Sequence, residues 1–253
     1  MAIIYGLNPV LEALRARGRA LEYVAVARER HDQRMQRLID AARAAGVSVR
    51  FLPREQLDRL AGGEQHQGAV AGVAAKQYVE LDELLAQRRG VHSFIVVLDG
   101  VEDPHNLGAI LRTADAAGAD GVVIPERRAA GVNPTVAKAS AGASEHVPVA
   151  RVTNIGRTVE ELKQRNIWTV GLDERGSQPY DALDYNMDCA LVLGAEGHGV
   201  HEAVRKKCDF LVSIPMAGSV ASLNVSVAAA VVMYEVARQR RKSAAEAPNP
   251  QTK

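Results

Sequence analysis

The chain has 253 residues and a formal net charge of +1, and 47% of its residues are hydrophobic against 24% charged. This length accommodates one large or two ordinary domains, and the composition is that of a globular protein. No apolar run approaches the ~20 residues of a membrane span, and no Cys or His spacing predicts a metal site. The 2 cysteines form no CxxC pair, so we expect no disulfide framework and a reduced, cytoplasmic setting.

The first 76 residues predict a small α/β unit. Apolar residues at helical spacing alternate with short strands, as at 31–45, where a helix ended by Gly46 precedes a strand at 47–52. Three or four strands alternating with helices in so short a stretch predict an αβα sandwich. This stretch carries 12 Lys and Arg against 8 Asp and Glu, a net charge of +4 (12 − 8), whereas the rest carries 19 against 22. The excess is compatible with an RNA-binding surface or with an ordinary solvated one.

The second region follows a polar stretch at 77–92 and opens with a strong strand at 94–98. Apolar residues then recur at i, i+3, i+4 and i+7, which predicts a helix with Asn106 as its N-cap and Gly118 at its end. Helical side chains tilt toward the N-terminus of the helix, so Arg112 can reach back to the preceding loop. A solvent-facing arginine is the simpler interpretation of the spacing alone.

A buried strand at 190–193 leads into a glycine-rich loop, GAEGHG, at 194–199. Glycines let a ligand approach the backbone closely, and here three of them surround Glu196. Their order is G-x-x-G-x-G, which differs from the dinucleotide fingerprint G-x-G-x-x-G. A NAD site is therefore poorly supported.

The last predicted strand, at 210–214, runs into a loop of small and polar residues and then a buried helix beginning near Leu223. Ser219, Ser222 and Asn224 are all candidate N-caps of that helix. A strand, a polar loop and a helix present backbone N–H groups to a ligand, although an ordinary βα unit has the same pattern. Loops that follow parallel strands should meet at the carboxyl ends of one sheet.

Three motifs in this second region resemble those of the SpoU-type ribose methyltransferases, which belong to the SPOUT class of S-adenosylmethionine enzymes. They are N-x-G-x-x-x-R-T-A at Asn106–Ala114, LVLGAEGHG at Leu191–Gly199 and IPMAGSVASLNVSVA at Ile214–Ala228. Their order and separation also fit, and the resemblance covers nearly the whole chain. It is strongest to the bacterial enzymes that methylate the 2′-hydroxyl of a guanosine in 23S ribosomal RNA, a likeness that GASEHVPVARVTN at Gly142–Asn154 supports.

The resemblance implies an α/β fold in which a small αβα RNA-binding domain precedes a trefoil-knotted SPOUT methyltransferase domain. It predicts an RNA substrate-binding domain at 1–76, a linker at 77–92, the knotted domain at 93–242 and a disordered tail at 243–253. It also implies a cytoplasmic homodimer that uses S-adenosylmethionine, acts on RNA and needs no metal or membrane.

For the site, the resemblance implies catalytic roles for Asn106, Arg112, Glu196, Ser222 and Asn224, and cofactor contacts for Gly194, Ile214 and Leu223. A guanidinium keeps its proton until about pH 12, so we interpret Arg112 as a clamp on the RNA phosphate and on developing alkoxide charge. Glu196, a phosphate oxygen and water are the alternatives for the base. Ser222 and Asn224 are expected to bind the cofactor or the ribose, or else to cap the last helix.

Two other substrates or functions stay open at this stage. Within the family, a tRNA is the alternative to ribosomal RNA. A non-catalytic RNA-binding module would tolerate loss of the motif residues, yet all of them are present. The three motifs therefore favour an active methyltransferase.

Overall fold

Two β-sheets organise the fold, and they belong to two different compact units. The computed structural model describes residues 2–15, 21–30, 32–73, 78–195, 199–220 and 222–246. The first unit comprises Met1–Gln77, Asp103–Arg112 and Ala130–Val147, and the second comprises Tyr78–Glu102, Thr113–Ala129 and Pro148–Lys253. Each unit is described by itself.

The sheet of the first unit has four strands in the order β1-β4-β2-β3. β4 is antiparallel to both β1 and β2, whereas β2 and β3 are parallel. Three helices connect these strands. The elements are β1 (Ala2–Tyr5), α1 (Leu7–Arg15), β2 (Leu21–Ala27), α2 (Gln33–Ala44), β3 (Ser48–Leu52), α3 (Arg54–Leu60) and β4 (Ala69–Val73).

Both faces of this sheet are covered, which confirms the predicted αβα sandwich. On one face Val10 of α1 and Leu38 of α2 belong to a buried apolar cluster, and Leu57 of α3 belongs to a second cluster on the other face. Asp32 begins α2 by accepting hydrogen bonds from two backbone N–H groups. Gly46, at φ +69°, follows the end of that helix as predicted.

The rest of the first unit is helical. It includes the first part of α5 (Pro104–Ala117) and all of α6 (Pro134–Ala139). Asp103 accepts the N–H of His105 at 2.9 Å and caps α5, so the prediction that Asn106 caps this helix is wrong. A Cβ placed on Gly108 would lie 2.4 Å from the Cβ of Ala139, so only glycine permits this approach of α5 to α6.

The sheet of the second unit has seven parallel strands in the order β7-β6-β5-β10-β8-β11-β9. Parallel strands buried on both faces account for the continuous apolar runs of the sequence. The segment 176–186, predicted to be a loop, contributes the short edge strand β9. The strands are β5 (Phe94–Asp99), β6 (Gly121–Pro125), β7 (Val149–Val152), β8 (Trp168–Leu172), β9 (Gln178–Pro179), β10 (Cys189–Gly194) and β11 (Phe210–Ser213).

Four further helices belong to the second unit: α4 (Leu81–Ala86), α7 (Ile155–Gln164), α8 (Glu202–Arg205) and α9 (Val225–Glu246). The segment predicted to be a linker contains α4, whose Leu84 is fully buried in the cluster that joins this helix to the sheet. α9 packs on β10 and ends at Glu246. The predicted disordered tail is therefore wrong for residues 243–246, and its remainder, 247–253, lies outside the described residues.

The two cysteines, Cys189 and Cys208, are free, as expected. Burial raises the pKa of the Cys189 thiol to about 11 and that of Cys208 to about 12. Both thiols therefore stay protonated and poorly nucleophilic near neutral pH. Over the part of the chain that the structure describes, no helix is long and apolar enough to span a bilayer, and no three His, Cys, Asp or Glu side chains form a metal site.

The packing of α4 leads to a stability prediction. Leu84→Ala should lower the free energy of unfolding by about 2–5 kcal/mol, because it leaves a cavity against Gly121 of the sheet. Val91 lies in the same predicted linker but is 83% exposed, so Val91→Ala should have little effect. Urea denaturation of both variants measures the difference. Equal stabilities would mean that α4 contributes nothing to the second unit.

Candidate active site

A pocket of the second unit lies at the carboxyl ends of β8, β10 and β11. Leu172 ends β8 and Gly194 ends β10, while Ile214 directly follows β11, and all three line the pocket. The loop before α9 completes the wall with Ser222 and Leu223. In open parallel sheets, ligands bind at this edge of the strands.

The glycine loop closes on itself at the floor of this pocket. Ala195 and Gly199 exchange two backbone hydrogen bonds of 3.1 Å each, and Gly199 adopts a positive φ of +65°. A Cβ placed on Gly194 would lie 1.8 Å from the carbonyl carbon of Gly199 and 2.1 Å from the nitrogen of Val200. No side chain fits there, so the loop requires glycine at Gly194 for its own packing as well as for ligand approach.

A buried carboxylate anchors the loop after β8. Asp173, whose side chain is 1% exposed, accepts hydrogen bonds from the backbone N–H of Arg175 at 3.0 Å and from its Nε at 2.9 Å. Nη1 of Arg205 lies 3.8 Å from the same oxygen. Burial by itself would raise the pKa of Asp173, but the hydrogen bonds from Arg175 and the charge of Arg205 hold it below its ordinary value. The carboxylate is thus ionised at neutral pH.

A second carboxylate fixes the end of the glycine loop. Asp99 ends β5 and lies beside Gly194 in the sheet register. It accepts the backbone N–H of His201 at 2.8 Å, and its Oδ2 lies 2.9 Å from Nδ1 of the same residue. The Asp99 side chain is 9% exposed and that of His201 is 60% exposed. The sequence analysis missed both Asp99 and Asp173, because their partners are assembled by the fold.

Four of the predicted site residues meet in this pocket: Gly194, Ile214, Ser222 and Leu223. Asn224 has the capping role that was its alternative. Its Oδ1 accepts the backbone N–H of Ser226 at 2.9 Å and the hydroxyl of that serine at 2.6 Å, at the start of α9. Any contact of these residues with a cofactor or a ribose stays a prediction.

The remaining predicted residues are not part of this pocket lining. Asn106 and Arg112 lie on α5 in the first unit, where Asn106 is buried and Arg112 is exposed. Glu196 lies outside the described residues. The catalytic roles of all three stay predictions.

The lining of the pocket fits a nucleoside-type cofactor. Leu193, Val225 and Ala228 add apolar surface to that of the strand ends, and the closed glycine loop leaves backbone exposed beside it. Charged groups are confined to the loop that Asp173 anchors. An apolar pocket with few convergent polar groups, at the carboxyl edge of a parallel sheet, is typical of a cofactor-dependent α/β enzyme.

Comparison with known proteins gives the family. The chain belongs to the SpoU rRNA Methylase family, which residues 93–234 match. Residues 3–79 match the substrate-binding domain of RNA 2′-O ribose methyltransferases. As a member of this family, the chain is an S-adenosylmethionine-dependent RNA 2′-O-ribose methyltransferase.

Similar proteins span almost the same length. A Bacillus subtilis protein, YacO, assigned to the TrmH family of tRNA/rRNA methyltransferases, is 50% identical over 94% of this chain and 95% of its own. The 23S rRNA (guanosine-2′-O-)-methyltransferase RlmB of Ralstonia nicotianae is 47% identical over 94% of this chain and 96% of its own. The crystal structure of the SpoU methyltransferase AviRb from Streptomyces viridochromogenes, in complex with AdoMet, superposes with a TM-score of 0.79 at 29% identity, covering 94% and 90% of the two chains.

The closed glycine loop makes Gly194 a sharp test of the pocket. Gly194→Ala should weaken S-adenosylmethionine binding more than about tenfold, because its methyl group displaces the backbone of Gly199 and Val200. Gly90→Ala is a matched control, since a Cβ there meets nothing nearer than 3.7 Å. Calorimetric titration of both variants gives the affinities. Wild-type affinity in Gly194→Ala would show that the loop does not form the cofactor pocket.

Proposed function

We propose that this enzyme transfers the methyl group of S-adenosylmethionine to the ribose 2′-hydroxyl of a guanosine in 23S ribosomal RNA. The observation that carries this proposal is the 47% identity, over nearly the full length of both chains, to the Ralstonia enzyme named for that reaction. The ribosomal substrate also places the enzyme in the cytoplasm.

The pocket residues are proposed to hold the cofactor. Gly194 and Ile214 present backbone at two strand ends, and Leu223 contributes apolar surface from the loop before α9. Ser222 supplies a hydroxyl for the cofactor or the ribose. S-adenosylmethionine carries the electrophilic methyl group, so the protein must position and activate a poor nucleophile.

We propose that Arg112 and Asn106 act on the RNA. The exposed guanidinium of Arg112 is suited to clamp a phosphate and to stabilise negative charge on the ribose oxygen. Asn106 is proposed to hold the nucleotide by hydrogen bonding. The proton of the 2′-hydroxyl passes to Glu196, to a phosphate oxygen or to water.

The first 76 residues are proposed to bind the RNA substrate, followed by a linking segment at 77–92 and a catalytic domain at 93–242. Their net charge of +4 (12 − 8) supports this division, since RNA binding is driven in part by cation contacts to phosphate. Exposed arginines of α2, β3 and α3 offer such contacts. They are Arg34, Arg37, Arg43, Arg50, Arg54 and Arg59.

The strand order supports a trefoil knot in the catalytic domain. β10 lies between β5 and β8, whereas β11, the next strand along the chain, lies on the far side of β8. The chain therefore crosses β8 to form β11, and α9 then returns to pack on β10. Knots are rare in proteins, and we propose that this crossing is one.

The substrate assignment is tested by offering labelled S-adenosylmethionine with protein-free 23S RNA, 16S RNA or bulk tRNA. Methylation of 23S RNA alone is expected, at the 2′-hydroxyl of a single guanosine located by primer extension. Labelling of tRNA alone would replace the ribosomal assignment with a tRNA one. No labelling of any RNA would support a binding module without catalysis.

Arg112 gives the sharpest catalytic prediction. Arg112→Ala should retain cofactor affinity but lose turnover by a factor of about 100, since a charge-stabilising donor is removed. Arg112→Lys should keep part of the rate, because lysine keeps the charge but lacks the planar fork. Arg157, exposed on α7, provides the control Arg157→Ala. Near wild-type methylation by Arg112→Ala would refute the assignment.

We also propose a homodimer, on the ground that α9 and the loop before it expose apolar side chains. Val227 and Tyr234 are each 48% exposed and Val220 is 69% exposed. Light scattering should give twice the 27.1 kDa of one chain. Tyr234→Glu should shift the mass toward the monomer, whereas Val91→Glu, at another exposed position, should not. A monomeric wild-type protein at micromolar concentration would contradict this proposal.

A further inference from the structure

The charges that line the cofactor pocket all come from one loop. Among the described lining residues, only Asp173, Glu174 and Arg175 carry a formal charge, and they follow one another directly after β8. The strand ends and the loop before α9 contribute apolar, glycine and serine surface. Because a ligand aligns its charged end with charged groups, the polar end of the cofactor is expected to face this loop.

The three charges are not equivalent. Asp173 is buried and committed to Arg175 and Arg205, so its carboxylate is not available to a ligand. It holds the guanidinium of Arg175 through Nε at 2.9 Å and Nη2 at 3.3 Å. Nη1 of Arg175 has no hydrogen-bond partner within the part of the chain that the structure describes, and the side chain is 55% exposed. A positioned donor is therefore left at the pocket wall.

Glu174 complements this donor with the opposite charge. Its side chain is exposed, and it forms no hydrogen bond or ion pair with the residues whose positions are described. Glu174 and Arg175 thus present one acceptor-only and one donor-only group side by side. A phosphate would meet repulsion from Glu174, whereas a zwitterion carries both matching charges.

We infer that Glu174 and Arg175 bind the amino-acid end of S-adenosylmethionine. The Arg175 guanidinium donates to the α-carboxylate, and the Glu174 carboxylate accepts hydrogen bonds from the α-ammonium group. The nucleoside end is left to the apolar strand ends. This inference rests on the cofactor assignment and is independent of which RNA is methylated.

Four ligands separate the groups involved. S-adenosylmethionine carries the carboxylate, the ammonium group and the sulfonium charge, and S-adenosylhomocysteine lacks only that sulfonium charge together with its methyl group. Decarboxylated S-adenosylmethionine lacks the carboxylate alone. Methylthioadenosine lacks the whole amino-acid end and the sulfonium charge. Calorimetric titration of the full-length enzyme with each ligand gives the dissociation constants.

Arg175→Gln should weaken S-adenosylmethionine and S-adenosylhomocysteine by about tenfold, as expected for one charge-assisted contact at a half-exposed site. Binding of decarboxylated S-adenosylmethionine and of methylthioadenosine should change less than about twofold, since neither has a carboxylate. Arg175→Lys should restore part of the lost affinity. Glu174→Gln should weaken every ligand that carries the amine and leave methylthioadenosine unchanged.

Arg205→Gln controls for the integrity of the loop. Arg205 is the second cation near Asp173 but does not line the pocket, so any effect should be the same factor for all four ligands. A uniform loss in Arg175→Gln as well would overturn the inference, because it would show that Arg175 only supports the loop. Loss for S-adenosylmethionine but not S-adenosylhomocysteine in Glu174→Gln would mean that Glu174 senses the sulfonium instead. A wild-type enzyme that binds none of the four would remove the cofactor assignment and this inference together.

Discussion

The close approach of two backbone segments at Gly194 constrains the whole pocket. The carbonyl carbon of Gly199 lies 1.8 Å from the position that a Cβ of Gly194 would occupy, so the chain folds back onto the end of β10 with no side chain between them. Asp99, the neighbour of Gly194 in the sheet, then holds the returning chain through the backbone N–H of His201. The floor of the pocket is therefore backbone, and its shape is set by the sheet rather than by flexible side chains.

Around this floor the site divides chemically. Apolar residues at the ends of β8, β10 and β11 provide the surface for an aromatic or aliphatic group, and the charges stand together on the loop held by Asp173. The pKa of Asp173 stays below its ordinary value despite burial, since Arg175 and Arg205 compensate the loss of water. The loop thus keeps its anchor at any pH near neutrality, and would lose it only in acid, as protonation of Asp173 removes the acceptor for both cations.

Much of this architecture could be predicted from sequence, for identifiable reasons. Continuous apolar runs marked the parallel strands, and the motif residues Gly194, Ile214 and Leu223 were correctly expected to come together. Local competition was harder to judge: Asp103 rather than Asn106 caps α5, since both precede the same apolar pattern. The pair formed by Asp99 and His201 could not be predicted, because 102 positions separate its members and only the fold brings them together.

The first unit is not a contiguous stretch of sequence, because segments 103–112 and 130–147 belong to it although they lie inside the range that matches the methylase family. Ala137 of α6 is buried in the same core as α1 and α2, and His146 lies 2.8 Å from Glu12 of α1. Recombination between relatives therefore cannot treat the N-terminal 77 residues as an interchangeable module. A chimaera that joined a foreign N-terminal region at that point would have to match the surface of α6 as well, so the two segments are expected to change together during divergence.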